Sequence, residues 1–231
     1  MDVTPIDDDP PWASRSLHTH RWTLDDARRV FSSAPEPIRE NPFANDDARL
    51  ASVLIGLFEA DGALRMVLTK RPRHLGTHAG EIAFPGGKFD PSLDDERVDT
   101  AIREAHEEIG IERDRVEILS ELNAGATVVT NFIISPFVAI IESPTDAHWN
   151  IDPNEVEAVL CPRVADLYDP AIYRQERWDI PANDRWPVGA PNHPMHFFDL
   201  YGETIWGATA RVLHDFLSVG AGLPPLGYIV E

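Results

Sequence analysis

The chain has 231 residues, 43% of them hydrophobic, with 39 acidic against 20 basic side chains and a formal net charge of −19. That balance argues against general binding to DNA, RNA or anionic membranes, which need clustered Lys and Arg. It remains compatible with a divalent cation site that draws in an anionic small molecule. The lone Cys161 excludes an intramolecular disulfide framework or a zinc site of several cysteines. No basic start with an apolar core marks a signal peptide, and no apolar run approaches membrane-spanning length, so a cytoplasmic protein is expected.

In chain order, residues 1–20 are polar and rich in Pro and Asp and are expected to be poorly ordered. Thr23 reads as the N-cap of a short helix to about Ser33, with Asp25 and Asp26 in its first turn. Ala51–Phe58 and Leu64–Thr69 read as a hairpin around Glu59-Ala60-Asp61-Gly62. Ile82–Phe84 is a short strand running into the turn Phe84-Pro85-Gly86-Gly87. A helix from about Glu96 to Ile109 follows, with Gly110 as its C-cap. Val116–Ala124, Phe132–Ile141 and Val156–Leu160 read as strands, and 164–168 as a short helical segment. The Pro- and Trp-rich stretch 170–194 is expected to be irregular, His196–Leu200 to be a strand, and Gly207–Val219 a closing amphipathic helix. This interleaving predicts an α/β sandwich with mixed rather than purely parallel sheets.

The helix at 96–109 carries the chemistry. At about 100° per residue, Glu104, Glu107 and Glu108 fall within an arc of roughly 100°, while Val98, Ile102, Ala105 and Ile109 take the opposite face. Like charges at this spacing repel, and a hard cation with a preference for oxygen ligands, Mg²⁺ or Mn²⁺, relieves the repulsion. Arg103, one turn before Glu107, can hold a ligand carboxylate in place. The alternative for this segment alone is a solvated acidic helix face. Cys161 reads as a core thiol, and His18, His20, His193 and His196 as surface residues without metal spacing.

Arg103-Glu104-Ala105-His106-Glu107-Glu108-Ile109-Gly110-Ile111 resembles the second half of the Nudix box at every fixed position, and Gly87 stands for its leading glycine. The first half departs: Gly87 precedes Arg103 by sixteen residues where the pattern has fourteen, and Asp95 stands at the position of the first glutamate. A longer loop, Lys88 to Asp94, must bulge between turn and helix. Leu68-Thr69-Lys70-Arg71, His78 to Gly87, Ser135-Pro136-Phe137-Val138 and Ile205 to Ala210 resemble the coenzyme A pyrophosphatase branch. One departure within it is Gly76, where the branch carries an Arg.

The resemblance implies a Nudix fold of mixed β-sheets sandwiched between helices over residues 49–220, after a partly disordered extension with a short helix at 1–48 and before a tail at 221–231. It implies metal-dependent hydrolysis of coenzyme A or acyl-CoA to 3′,5′-ADP and (acyl-)4′-phosphopantetheine. Glu104, Glu107, Glu108 and the Gly87 carbonyl are the metal ligands it implies. Glu107, Glu108, Arg103 and Glu155 are the catalytic candidates, Glu155 and Glu157 offering a base from a distant loop that reads equally as a solvated connector. Arg71, His78, Phe84 and Gly86 are the substrate-binding candidates, and the same residues read as a strand end and its loop. The alternatives are a Nudix pyrophosphatase for ADP-ribose or another nucleoside diphosphate derivative, and a non-catalytic Nudix-fold ligand-binding module. The partner expected is thus a CoA-like nucleotide, with no nucleic acid and no membrane. A homodimer is a further expectation, through apolar surface on the N-terminal helix and the Pro/Trp-rich segment.

Overall fold

The computed structural model describes residues 3–6, 8–39, 48–74, 78–127, 131–142, 149–182 and 189–226. Gly76 lies outside them. Its elements are β1 (Val3–Ile6), α1 (Leu24–Phe31), β2 (Arg49–Ala60), β3 (Ala63–Met66), β4 (Leu68–Lys70), β5 (Ile82–Ala83), β6 (Gly86–Lys88) and α2 (Arg97–Ile109). There follow β7 (Val116–Glu121), β8 (Gly125–Ala126), β9 (Phe132–Ile141), β10 (Ala158–Leu160), α3 (Val164–Leu167), β11 (Tyr173–Ile180), β12 (Ala190–Leu200), β13 (Glu203–Ile205) and α4 (Gly207–Gly220).

The spine is β2, whose near-continuous apolar run suits a strand buried on both faces. It runs parallel to β9 and antiparallel to β3 and β6, and β7 and β8 add to β9. Its side chains alternate between two cores. Ile55 and Leu57, with Val138, join Phe31 of α1 and Phe216 and Leu217 of α4. Leu54 and Phe58, with Phe137, Ala139 and Ile141, meet Ala101, Ala105 and Ile109 of α2. Each such buried side chain contributes about 1.5–3 kcal/mol, so the two layers fix α2 firmly over β2 and β6. A second sheet orders β10-β4-β5 and a third β1-β11-β12-β13. The result is the mixed-sheet α/β architecture expected.

Both ends of α2 are made locally. The Asp99 carboxylate accepts the Glu96 N–H at 2.9 Å, and Gly110 closes the helix at φ 77°, a left-handed conformation that glycine adopts without strain. A Cβ on Gly110 would also lie 2.6 Å from Cβ of Asn150. The helix end is therefore a seat for the segment after Asn150.

Two expectations differ from the structure. Residues near the N-terminus are ordered: β1 pairs with β11, and Trp12 is 1% exposed, stacked on Phe198 and edge-on to Tyr168. One large aromatic outweighs the polar composition around it. Within the stretch 170–194, expected to be irregular, the described residues form β11 and the start of β12, which pair from Tyr173↔Phe198 to Ile180↔Ala190, and 183–188 lie outside the described residues. Pro191 and Pro194 are tolerated because β13 reaches only Phe198 to Leu200, leaving the first half of β12 an edge on that side. The apolar residues of α1 pack into the first core, Phe31 lying 4.7 Å from Phe216 ring to ring.

Candidate active site

The site starts from the glycine turn. Leu54 N–H donates to the Pro85 carbonyl at 2.8 Å, drawing the turn onto β2. A Cβ on Gly86 would stand 2.3 Å from the Ser52 carbonyl oxygen and 2.7 Å from Cα of Val53, so only glycine allows this approach. A Cβ on Gly87 would stand 2.4 Å from the carboxyl carbon of Glu104. The turn is a bare floor on which a carboxylate from α2 rests.

Glu104, Glu108 and Glu155 converge there, with carboxylate oxygens that all lie within 4.8 Å of one another. Two are on α2; the third comes from the segment that Gly110 seats. Asp152 N–H donates to the Glu108 carbonyl at 2.9 Å, and Glu157 N–H to the Lys70 carbonyl at 2.8 Å, so Glu155 is pinned between α2 and β4. Glu108 is buried at 4% exposure, and its Oε2 has no hydrogen-bond partner among the described residues. Desolvation, then the charges of Glu104 and Glu155, push its carboxyl up to about 8, against the pull of Arg71 and the Gly86 N–H. Glu104 is raised as well, mainly by burial, with the Arg103 guanidinium working the other way.

Glu107 stands apart from this set. It was expected among the ligands; in the structure its carboxylate pairs with Arg103 at 3.0 Å and is half exposed. The helical wheel explains the split: Glu108 sits about 60° from Ala105 and turns toward the core, whereas Glu107 lies about 160° from it. Glu155 takes the third place in the convergent set.

Arg103 is the hub beside the cluster. Its Nη1 donates to Glu104 at 2.7 Å, while Nε and Nη2 hold Asp94 at 2.9 and 3.0 Å. Asp94 also accepts from the Thr100 hydroxyl at 2.8 Å and the Asp90 N–H at 3.0 Å, and its side chain has no exposure. Arg103 first, against burial, lowers its carboxyl to about 2. Counting along the motif put Asp95 in this role, but Asp95 is exposed. The turn closed by Asp94 N–H on the Asp90 carbonyl at 2.8 Å absorbs the longer loop one residue early.

Next to the cluster a cavity of about 940 Å³ opens, lined by Gly86, Gly87 and Lys88 on one side and by Arg71, His78, Glu81 and Phe84 on another. The four residues expected to bind substrate therefore share one space. Arg71 stands at the end of β4, its N–H donating to the Glu81 carbonyl at 2.9 Å. His78, at φ 56°, lies 2.8 Å from a carboxylate oxygen of Glu81. Phe84 is 3% exposed and belongs chiefly to the core. The far wall comes from β11, β12 and α4, with Trp178, Pro194, His196, Trp206 and Arg211. His196, expected on the surface, is 4% exposed.

The donor set fits a hard divalent cation. It is all oxygen and anionic, one oxygen is buried without a partner, and the floor is kept clear by glycine.

Comparison with known proteins places these residues in context. Residues 48–187 match the NUDIX domain. The chain is similar to Nudix hydrolase 22, chloroplastic, of Arabidopsis thaliana at 36% identity over 200 residues, covering 84% of this chain and 61% of that protein, and thus spans less than two thirds of that relative. It is similar to Nudix hydrolase 3 of Caenorhabditis elegans at 31% identity over 225 residues, covering 90% of this chain and 91% of the other. An uncharacterized Nudix hydrolase NudL of Enterobacter sp. (strain 638) is 31% identical over 214 residues, 90% of this chain and 100% of that protein.

Proposed function

The chain belongs to the Nudix hydrolase family, and from that premise we propose that it uses Mg²⁺ or Mn²⁺ to hydrolyse the pyrophosphate linkage of coenzyme A or an acyl-CoA. The observation that carries this reading is one cavity with two characters. Its Gly86–Gly87 edge adjoins the three carboxylates and Arg71, while Phe132, Ile134, Trp178 and Ile180 make another part apolar. A ligand with a diphosphate joined to a long, weakly polar arm matches that division, and a compact nucleotide does not need it.

Glu104, Glu108 and Glu155 would hold the cation, with the Gly87 carbonyl as a further ligand. Bound there, it supplies charge neutralisation at the non-bridging phosphate oxygens and a more acidic water. The chain's own groups do the rest. Arg71, close enough to Glu108 to lower its carboxyl, places a positive charge where a phosphate enters. Arg103, clamped by Asp94, keeps Glu104 over the glycine floor. Glu107 restrains the same guanidinium from the solvent side. Glu155, the exposed member of the triad, is the base assigned to take a proton from the attacking water.

The test is a panel of CoA, acetyl-CoA, ADP-ribose, NADH and diadenosine polyphosphates with either cation, products separated by chromatography. Release of 3′,5′-ADP from CoA well above the other substrates is the expected result. Faster turnover of ADP-ribose or a dinucleotide would keep the cation chemistry and overturn the CoA assignment.

A further inference from the structure

The cavity has a second polar spot that the chemistry above leaves unused. It lies on the wall built by β11, β12 and α4, where His196 is 4% exposed among Trp178, Pro194 and Val212. Its Nδ1 is 2.8 Å from the Tyr173 hydroxyl, and its ring lies 4.4 Å from that of His214. Its Nε2 has no hydrogen-bond partner among the described residues. With the partly buried Tyr173 hydroxyl donating to a bare Nδ1, Nε2 carries the ring proton. Burial first, then His214, Arg211, His193 and Arg177, hold the imidazole at about 2, and the ring stays neutral. A neutral N–H left unmet in a buried wall is costly, and His196 is among the residues lining the cavity from which an acceptor can come. Beside the apolar side chains of Trp178, Pro194 and Val212, a neutral donor is matched by an uncharged oxygen.

We propose that His196 is a substrate-binding residue whose Nε2–H donates to an uncharged carbonyl oxygen of the ligand, on a wall separate from the carboxylate cluster. Resting on the CoA reading, that oxygen is an amide carbonyl of the pantetheine arm. The contact would distinguish substrates carrying such an arm from those that share only the diphosphate and nucleotide.

The experiment uses the full chain labelled with ¹⁵N-histidine and titrated with pantetheine, the His196 signals being assigned by their loss in His196→Gln. A saturable shift of the Nε2 resonance is expected. In kinetics with CoA, His196→Phe should raise KM about tenfold with kcat little changed, the scale of one lost hydrogen bond. His196→Gln, which restores a donor, should recover most of that loss. Inhibition by 3′,5′-ADP, which lacks the arm, should not move. If CoA is hydrolysed but pantetheine leaves His196 unshifted, Nε2 meets only water and the proposal falls while the substrate reading stands. If CoA is not hydrolysed and pantetheine does not bind, the substrate reading has failed and takes the pantetheine assignment with it. Should His196→Phe not fold, the titration of the unmodified protein decides alone.

Discussion

Replacing Asp94 by asparagine removes one charge from the network that holds Arg103 and, through it, Glu104. The carboxylate it replaces is fully buried and bonded to Arg103, Thr100 and Asp90. Its pKa falls from 3.8 to about 2, with Arg103 as the largest cause. At about 1.4 kcal/mol per unit, that separation gives about 2–3 kcal/mol of folding stability from the ionised form. A folded-state pKa below the unfolded one stabilises above pH 3.8 and is lost as pH falls through about 2, so roughly half remains at pH 3. For a chain of this size the expected fall in Tm at pH 7 is about 5–10 °C. Urea unfolding of wild type, Asp94→Asn and Asp95→Asn at pH 7 and pH 3 measures it. The wild-type advantage over Asp94→Asn should shrink by about half at pH 3, and Asp95→Asn should cost less than about 0.5 kcal/mol at either pH. An Asp95→Asn penalty as large as that of Asp94→Asn would refute the assignment, as would an Asp94→Asn gap that ignores pH. With its clamp weakened, Arg103 should also position Glu104 less well, lowering kcat about tenfold with little change in KM.

Other expectations address the cluster itself. Glu108→Gln and Glu155→Gln should each lower kcat/KM on the order of a hundredfold or more, and Glu107→Gln less than about tenfold; equal losses at Glu107 and Glu108 would put Glu107 back among the ligands. Gly87→Ala should impair turnover while far-UV circular dichroism stays unchanged, since its Cβ would enter the Glu104 carboxylate at 2.4 Å; full activity would show that Glu104 can move without consequence. Mg²⁺ at about a hundred times its Kd should raise Tm by about 5–10 °C, a gain that chelation reverses and that Glu108→Gln lacks. An equal rise in that variant would place the cation elsewhere.

The framework was legible because its signals are local. The turn at 84–87, the helix over 97–109 with its Gly110 stop, and the apolar runs of β2 and β9 each announce themselves within a dozen residues. What escaped depends on contacts between distant segments. Asp94 rather than Asp95 meets Arg103 because a turn at Asp90 resets the count, and a motif spacing carries no information about that turn. Glu155 joins Glu104 and Glu108 through backbone bonds from Asp152 and Glu157 to partners on α2 and β4, which no carboxylate pattern encodes. The separation of Glu107 from Glu108 was present in the helical wheel, in the unequal distances of the two from the apolar face. His196 read as a surface residue because the hairpin of β11 and β12 was not foreseen. Once Tyr173 pairs with Phe198, His196 is two residues away on the same face, within reach of the Tyr173 hydroxyl.

The charge of −19 and an anionic substrate are reconciled by distance rather than by sum. At physiological salt a charge is screened beyond about 8 Å, so a bound diphosphate responds to its immediate walls and not to the total. Among the described residues, those walls carry Arg71, Lys88 and Arg211 against the carboxylate of Glu81. The carboxylates of Glu104, Glu108 and Glu155 face one another below Gly86 and Gly87, where a cation would turn their repulsion into attraction for phosphate. A small molecule that enters the cavity meets the cations first. The cationic walls thus give an anionic small molecule a favourable place to bind, beside the carboxylates that a cation would complete.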